Sequence, residues 1–241
     1  MKRPLLLALA LLGAAPLWSS LTPNADAQYS DELRARARRE STERFAFELK
    51  IGTYRTSGDA VGGGNAGYRY FRGDKGPLIQ LELDVYAFRI PYFGSIGAGA
   101  SFGWVRYEAR ACLTADCEPN SNGGRATNKV KLRAFPITPM AVLRLDVLAR
   151  DLGIPLVLVG KVGFDMFIYD INGAGGGGGT TYGLRWAAQA ALELDFINPR
   201  RARALDDQWG INHTYLLFEL FGSTAEMADP FAWTIGLGMT F

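Results

Sequence analysis

From Phe45 onward the chain alternates apolar with polar or small residues at a period of two, the spacing of a β-strand with one greasy face. Strand one, Phe45 to Arg55, sets Phe45, Phe47, Leu49 and Ile51 on one side and Glu48 and Lys50 on the other. Strand two, Leu78 to Phe88, opposes Ile79, Leu81, Leu83 and Val85 to Gln80, Glu82 and Asp84; strand three, Gly94 to Tyr107, opposes Ile96, Phe102 and Trp104 to Gly97, Gly99, Ser101 and Gly103. Strand four is the least regular. Val130 and Leu132 alternate with Lys129, Lys131 and Arg133, but beyond Pro136 and Pro139 the apolar set moves to Leu143, Leu145 and Val147, against Arg144 and Asp146. A bulge at the prolines is the expected device for that change of phase. Strand five, Pro155 to Tyr169, carries Lys161 and Asp165 on its polar face, and strand six, Thr181 to Phe196, carries Arg185, Gln189, Glu193 and Asp195. Strand seven, His213 to Phe221, carries Glu219, and strand eight, Phe231 to Phe241, alternates large apolar residues with Ala, Thr and Gly to its end.

Past residue 27 no run of 18 or more apolar residues occurs, so the pattern offers no helical membrane span. A strand greasy on its outer face and charged on its inner one suits a bilayer, where only helices and closed barrels satisfy every backbone polar group. Most of the strands match the roughly 9–11 residues that a tilted transmembrane strand needs. An even number with both ends on one side makes the links 56–77, 108–128, 170–180 and 222–230 outer loops, long and rich in Gly, Asn and Asp. The links 89–93 and 148–154 are short, as periplasmic turns are. The third inner link, 197–212, is longer, and a helical turn or two is expected after Pro199.

The last strand, with Phe231, Trp233 and the terminal Phe241, resembles that of the single-chain outer-membrane β-barrels of Gram-negative bacteria, OmpA-, OmpX- or OmpW-like in architecture. The resemblance runs from Phe45 to Phe241 and implies an all-β fold, an eight-stranded antiparallel transmembrane barrel in the outer membrane. It also implies that Phe231, Trp233 and Phe241 form the signal read by the barrel-insertion machinery, and that lipid and lipopolysaccharide are the surrounding partners.

Ahead of the barrel, Lys2 and Arg3 precede an apolar run from Pro4 to Trp18, and Ala25-Asp26-Ala27 follows. This reads as an export signal over 1–27, cleaved after Ala27. Residues 28–44 form a charged leader in which Ser30 to Arg44 reads as a short periplasmic helix: Ser30 caps it, Asp31 and Glu32 suit its N-terminal end, and arginines crowd its second half. Net charge is +2, and removing Lys2, Arg3 and Asp26 with the signal leaves it near neutral, which argues against a nucleic-acid partner.

Candidate chemistry is sparse. Cys112 and Cys117, the only two cysteines, fall in one outer loop, and in an exported chain such a pair reads as a disulfide. Too few further ligands lie nearby for a metal. The run Gly173 to Gly179 lacks the Lys and Ser/Thr of a phosphate loop. Arg72-Gly73-Asp74 and the sequon Asn212-His213-Thr214 are too short to carry weight. Lipid A palmitoyltransferases and deacylases are barrels of this size that use a His with Ser and an acid near the outer side. The sole histidine here, His213, begins strand seven at the periplasmic end and has no evident Ser and acid beside it. No catalytic residue, cofactor or metal is assigned.

The lumen is more informative. Glu48, Glu82, Asp84, Asp146, Asp165, Glu193, Asp195 and Glu219 face Lys50, Lys131, Arg133, Arg144, Lys161 and Arg185. Eight strands enclose an interior just wide enough for side chains to fill, so the charges are expected to pair into a plug, with Arg185 and Glu193, and Lys161 and Asp165, as partners. The reading is a non-enzymatic outer-membrane barrel that presents surface loops for membrane structure, adhesion or surface interaction. A narrow channel or transporter for small ions or a hydrophobic solute is the alternative, and a lipid-modifying enzyme comes third. A soluble lipocalin-like barrel would put its apolar face inside, opposite to this pattern.

Overall fold

The structure, a computed structural model, describes residues 43–55, 75–112, 125–172, 177–226 and 228–241. The export signal, nearly all of the leader helix, the Arg72-Gly73-Asp74 tripeptide, part of the glycine run, and Cys117 lie outside the described residues. Cys112 ends a strand, and its predicted bridge to Cys117 therefore lies outside them too.

Among the described residues eight strands and two helices follow in order: β1 (Phe45–Arg55), β2 (Lys75–Ile90), β3 (Gly94–Cys112), β4 (Arg125–Leu145), α1 (Val147–Arg150), β5 (Leu156–Asn172), β6 (Gly177–Glu193), α2 (Pro199–Trp209), β7 (His213–Ser223) and β8 (Ala232–Thr240). Each strand pairs antiparallel with its neighbour, and β8 pairs with β1 to close the barrel. At that seam the Phe241 carbonyl accepts from the Arg44 and Phe45 amides, and the Phe241 amide donates to the Phe45 carbonyl. Closure removes the unpaired edges that would otherwise be exposed.

Alternation along each strand decides which side chains face in. On β1, residues Ala46, Glu48 and Lys50 are buried while Phe45, Phe47, Leu49 and Ile51 are exposed. The same division puts Leu81, Phe102, Phe164, Trp186, Phe218 and Trp233 outside, and Glu82, Asp84, Lys161, Arg185 and Glu219 inside. Such a continuous apolar exterior around a charged interior is stable only in hydrocarbon. The chain is a membrane-spanning β-barrel of the outer-membrane kind.

Strand β4 corrects the expected change of phase. Its pairing with β3 holds one register from Ser95↔Arg144 to Arg110↔Lys129, and with β5 from Lys131↔Asn172 to Leu145↔Leu158, so the prolines mark no bulge. Leu132 and Ala134 face inward and are fully buried, while Lys131 and Arg133 face outward, not into the lumen. The rule that outward means apolar holds only within hydrocarbon. At 21 residues β4 is about twice a bilayer span, and along its first half the outward side chains Lys129, Lys131 and Arg133 are polar. A true register shift lies between Tyr86 and Phe88, beside the β2–β3 turn.

Helix α2 is longer than the turn or two expected. Asn198 accepts from the Arg201 amide, Pro199 opens the first turn, and Gly210 closes the helix at φ 67°. With no breaker between those ends, the helix fills the interval. Val147, read as the end of strand four, instead begins α1.

Candidate functional site: the packed lumen

The inward side chains divide the lumen into three levels. At mid-height, strand alternation brings Glu48 and Lys50 of β1, Gln80, Glu82 and Asp84 of β2, Lys161 and Asp165 of β5, Arg185 and Gln189 of β6, and Glu219 of β7 to the inside. Lys50 Nζ donates to Glu82 and Glu219, both at 2.6 Å, and lies 3.1 Å from Glu48. Lys161 Nζ donates to Glu48 at 3.0 Å, Glu219 at 3.2 Å, Gln189 at 2.8 Å, and Glu82. Gln189 Nε2 in turn donates to Glu48 at 2.8 Å. Glu48 and Glu82 are direct cross-strand partners, a pairing of like charges that the two ammonium groups make tolerable.

The partners differ from those expected. Arg185 donates to Gln80 at 3.0 Å, lies 3.7 Å from Glu219 and sits over the Phe221 ring at 4.1 Å; it does not meet Glu193. Asp165 accepts from Thr138 at 2.8 Å and is not a partner of Lys161. Residues eight apart on one strand are roughly 26 Å apart, and four apart roughly 13 Å, too far for either pair. The long side chains instead cross the narrow lumen to strands that are distant in sequence.

Five carboxylates (Glu48, Glu82, Asp84, Asp165 and Glu219) meet three cations (Lys50, Lys161 and Arg185) at this level. Asp84 is fully buried, and neither of its carboxylate oxygens has a hydrogen-bond partner among the described residues. It fits against β3 only because residue 99 is glycine: a Cβ there would lie 1.9 Å from Asp84 Oδ1.

Above this network the lumen is apolar. Tyr54 stacks between Phe167 and Phe221, with ring centroids 5.9 and 6.3 Å away, and Leu78, Val105 and Leu132 pack around them. The β7–β8 connection, expected to be an outer loop, folds inward over this plug and buries Ala225 and Ala228 in it. Asp229 holds the connection down, accepting from the Arg55 amide at 2.7 Å and from the Phe231 amide at 3.0 Å. Burial raises the Asp229 carboxyl above its ordinary range, against the pull of those amides and of Arg55. Gly183 makes the fold-back possible, because a Cβ there would meet the Ala225 amide nitrogen at 2.1 Å.

At the end of the barrel where β1 begins and β8 ends, His213 is buried. Its Nδ1 lies 2.6 Å from Asp195 and 3.3 Å from Glu193, while its Nε2 lies 2.7 Å from an Arg150 nitrogen and 3.5 Å from Glu43. This arrangement suits the Nδ1–H tautomer, which donates to Asp195 and accepts from Arg150. Glu43 also pairs with Arg144 at 3.0 Å and with Arg150, and Arg144 donates to the Tyr215 hydroxyl at 2.6 Å. Asp146, at the N-cap position just before α1, pairs with Arg89 at 3.1 Å. Burial alone would raise the Glu43 carboxyl; the Arg144 and Arg150 guanidinium groups, with Arg89, outweigh it and hold the group at about 2. Sequence spacing did not place Asp195, Glu193 or Arg150 beside His213, because all three reach it through the barrel's curvature and turns.

Two carboxylate groupings have metal-like spacing, each with donor atoms within 4.8 Å: Glu193, Asp195 and His213, and Glu48, Glu82 and Glu219. Lys50 and Lys161 already supply the positive charge to the second, and Arg150 faces the first. His213 and Asp195 form the half of a catalytic triad that orients a base. The nitrogen that would activate a nucleophile, Nε2, faces Arg150. A small cavity of about 10 Å³ lies between Glu48, Tyr86, Arg144, Gln189 and Tyr215, space for no more than about one water.

Phe231, Trp233 and Phe241 all present their rings to the outside of the β8 wall. No family model and no curated protein matches this chain. Among solved structures it is similar to Ail, the attachment invasion locus protein of Yersinia pestis, in complex with the heparin analogue sucrose octasulfate. That match is 14% identical, has a TM-score of 0.42 and covers 82% of this chain and 99% of Ail. Neisserial surface protein A is 10% identical with a TM-score of 0.40 over 82% of this chain and 97% of its own. The outer-membrane protease OmpT of Escherichia coli is 10% identical with a TM-score of 0.31, covering 83% and 94%. The eight-stranded barrel rests on this chain's own strand pairing, not on those likenesses.

Proposed function

We propose that this protein is a non-enzymatic outer-membrane barrel whose closed lumen makes it a rigid scaffold for surface loops, serving membrane structure, adhesion or surface interaction. The observation that carries this reading is the filled interior, with an apolar plug and a charge network stacked on one axis. Residues 56–74 and 113–124 are the longest connections at the plugged end, and they are the segments such a scaffold would display. Residues 1–27 act as a cleaved export signal, and Phe231, Trp233 and Phe241 engage the insertion machinery before the seam closes. Cys112 and Cys117 are bridged in the oxidising periplasm.

Planar-bilayer recording tests the reading: purified protein should give no steady conductance, and large stable channels would instead establish the transporter alternative. Quantitative thiol labelling of unreduced, denatured protein should find neither cysteine free. Purified mature protein should begin at Gln28. The enzyme reading requires that His213→Ala abolish a lipid-modifying activity; lipid A from cells expressing the intact protein should match that from cells without it.

A further inference from the structure

On the outer surface of β3 and β4 the apolar belt ends abruptly in a block of positive charge. Along β3 the outward side chains from Ile96 to Trp104 are apolar, and the next two are Arg106 and Glu108. Along β4 the corresponding series from Leu143 to Phe135 is followed by Arg133, Lys131 and Lys129. Eight residues of tilted strand rise roughly 20–25 Å, the height of the hydrocarbon band, and Phe102 stacks on Phe135 near its upper edge at 6.1 Å between centroids. The basic block therefore stands at the level of the headgroups.

Register makes the block costly by itself. Arg106 is directly opposite Arg133, and Glu108 directly opposite Lys131. Arg106 donates to Glu108 at 2.7 Å, and Lys129 and Lys131 lie 3.8 and 3.9 Å from the same carboxylate, so one anion serves three cations. Arg133 makes no ion pair with a described residue, and its β5 neighbour Asp170 instead accepts from Asn172 at 2.6 Å. Like charges placed opposite each other destabilise a sheet, and an anion between them reverses the sign of that interaction.

We propose that Arg106 and Arg133, flanked by Lys131 and Lys129, bind a phosphate of lipid A in the outer leaflet. The acyl chains then lie along the apolar wall beneath, over Phe102, Phe135 and Trp104. Two guanidinium groups supply the forked donors that phosphate oxygens accept, and the fixed depth selects a phosphate carried by a lipid. The proposal rests on the outer-membrane orientation argued above.

The test measures binding of diphosphoryl lipid A to the full chain in detergent micelles, with extraction and gel mobility checked on every sample. Arg106→Gln with Arg133→Gln should weaken binding roughly ten- to a hundredfold, as expected for the loss of charge-assisted contacts. Arg55→Gln with Lys75→Gln, a charge-matched pair at the rim of β1 and β2, should leave it unchanged. Removing one lipid A phosphate should cost the unmodified protein more than the Arg106/Arg133 variant. Unchanged binding in that variant, or equal loss in the control, overturns the site. Competition by inorganic phosphate or a sulfated oligosaccharide as effective as lipid A would show a soluble-anion site and overturn it as well. Protein recovered without detergent, or lacking the heat-dependent mobility of a barrel, would instead refute the membrane reading itself.

Discussion

The outer and middle levels of the lumen are equally full, but by opposite chemistry. At the outer level Tyr54, Phe167 and Phe221 fill the space with stacked rings, and the β7–β8 connection closes over them. At mid-height Lys50 and Lys161 are shared among Glu48, Glu82 and Glu219. The apolar plug loses stability in proportion to the volume removed, whereas the charge network fails when a single member goes, because the others remain buried without a counter-charge. Both can stop ions; only one depends on every part being present.

The largest effect should come from the network. Lys161→Ala leaves Glu48, Glu82 and Glu219 with Lys50 and is expected to cost about 3–5 kcal/mol, read by urea unfolding in lipid bilayers. Adding Glu82→Gln to that variant should recover part of the loss, and failure to do so would break the distinction drawn between the levels. In the plug, Phe221→Ala should cost about 3 kcal/mol, partly through the lost stacking with Tyr54 and contact with Arg185, with no comparable rescue by a charge change. If either variant conducts in planar bilayers, it identifies the level that seals the lumen.

The end of the barrel that holds Glu43 and His213 gives a third term through pH. Glu43 falls from 4.5 to about 2 on folding, so its stabilisation is complete above the unfolded value and is lost as pH drops through the folded one. The difference in stability between the protein and Glu43→Gln should therefore be constant at neutral pH and shrink by about 2–3 kcal/mol between pH 5 and pH 2. The smallest expected effect is a gain. Asp84→Asn removes a charge from the level where carboxylates outnumber cations, and should stabilise the barrel by about 1 kcal/mol. A loss of similar size would mean that the Asp84 charge is compensated.

Much of the fold was legible in the alternation. Phe45 to Arg55 is a strand in both sequence and structure, and the faces assigned to Glu82, Asp84, Lys161, Arg185 and Glu219 are the faces they occupy. The first half of β4 departs from the pattern because Leu132 and Lys131 look alike in or out of a membrane, and only the height of the strand says which rule applies.

Local pattern by itself determined the number of strands, their order and, outside the first half of β4, which side chains point inward, because a period of two depends only on neighbouring residues. The tertiary structure alone decided which inward groups meet. Lys161 reaches Glu48, 113 residues away in sequence, and His213 gathers Glu43, Arg150 and Asp195 from three other segments. Those encounters are set by the barrel's stagger, its narrow bore and the length of each side chain, none of which is a property of a stretch of sequence.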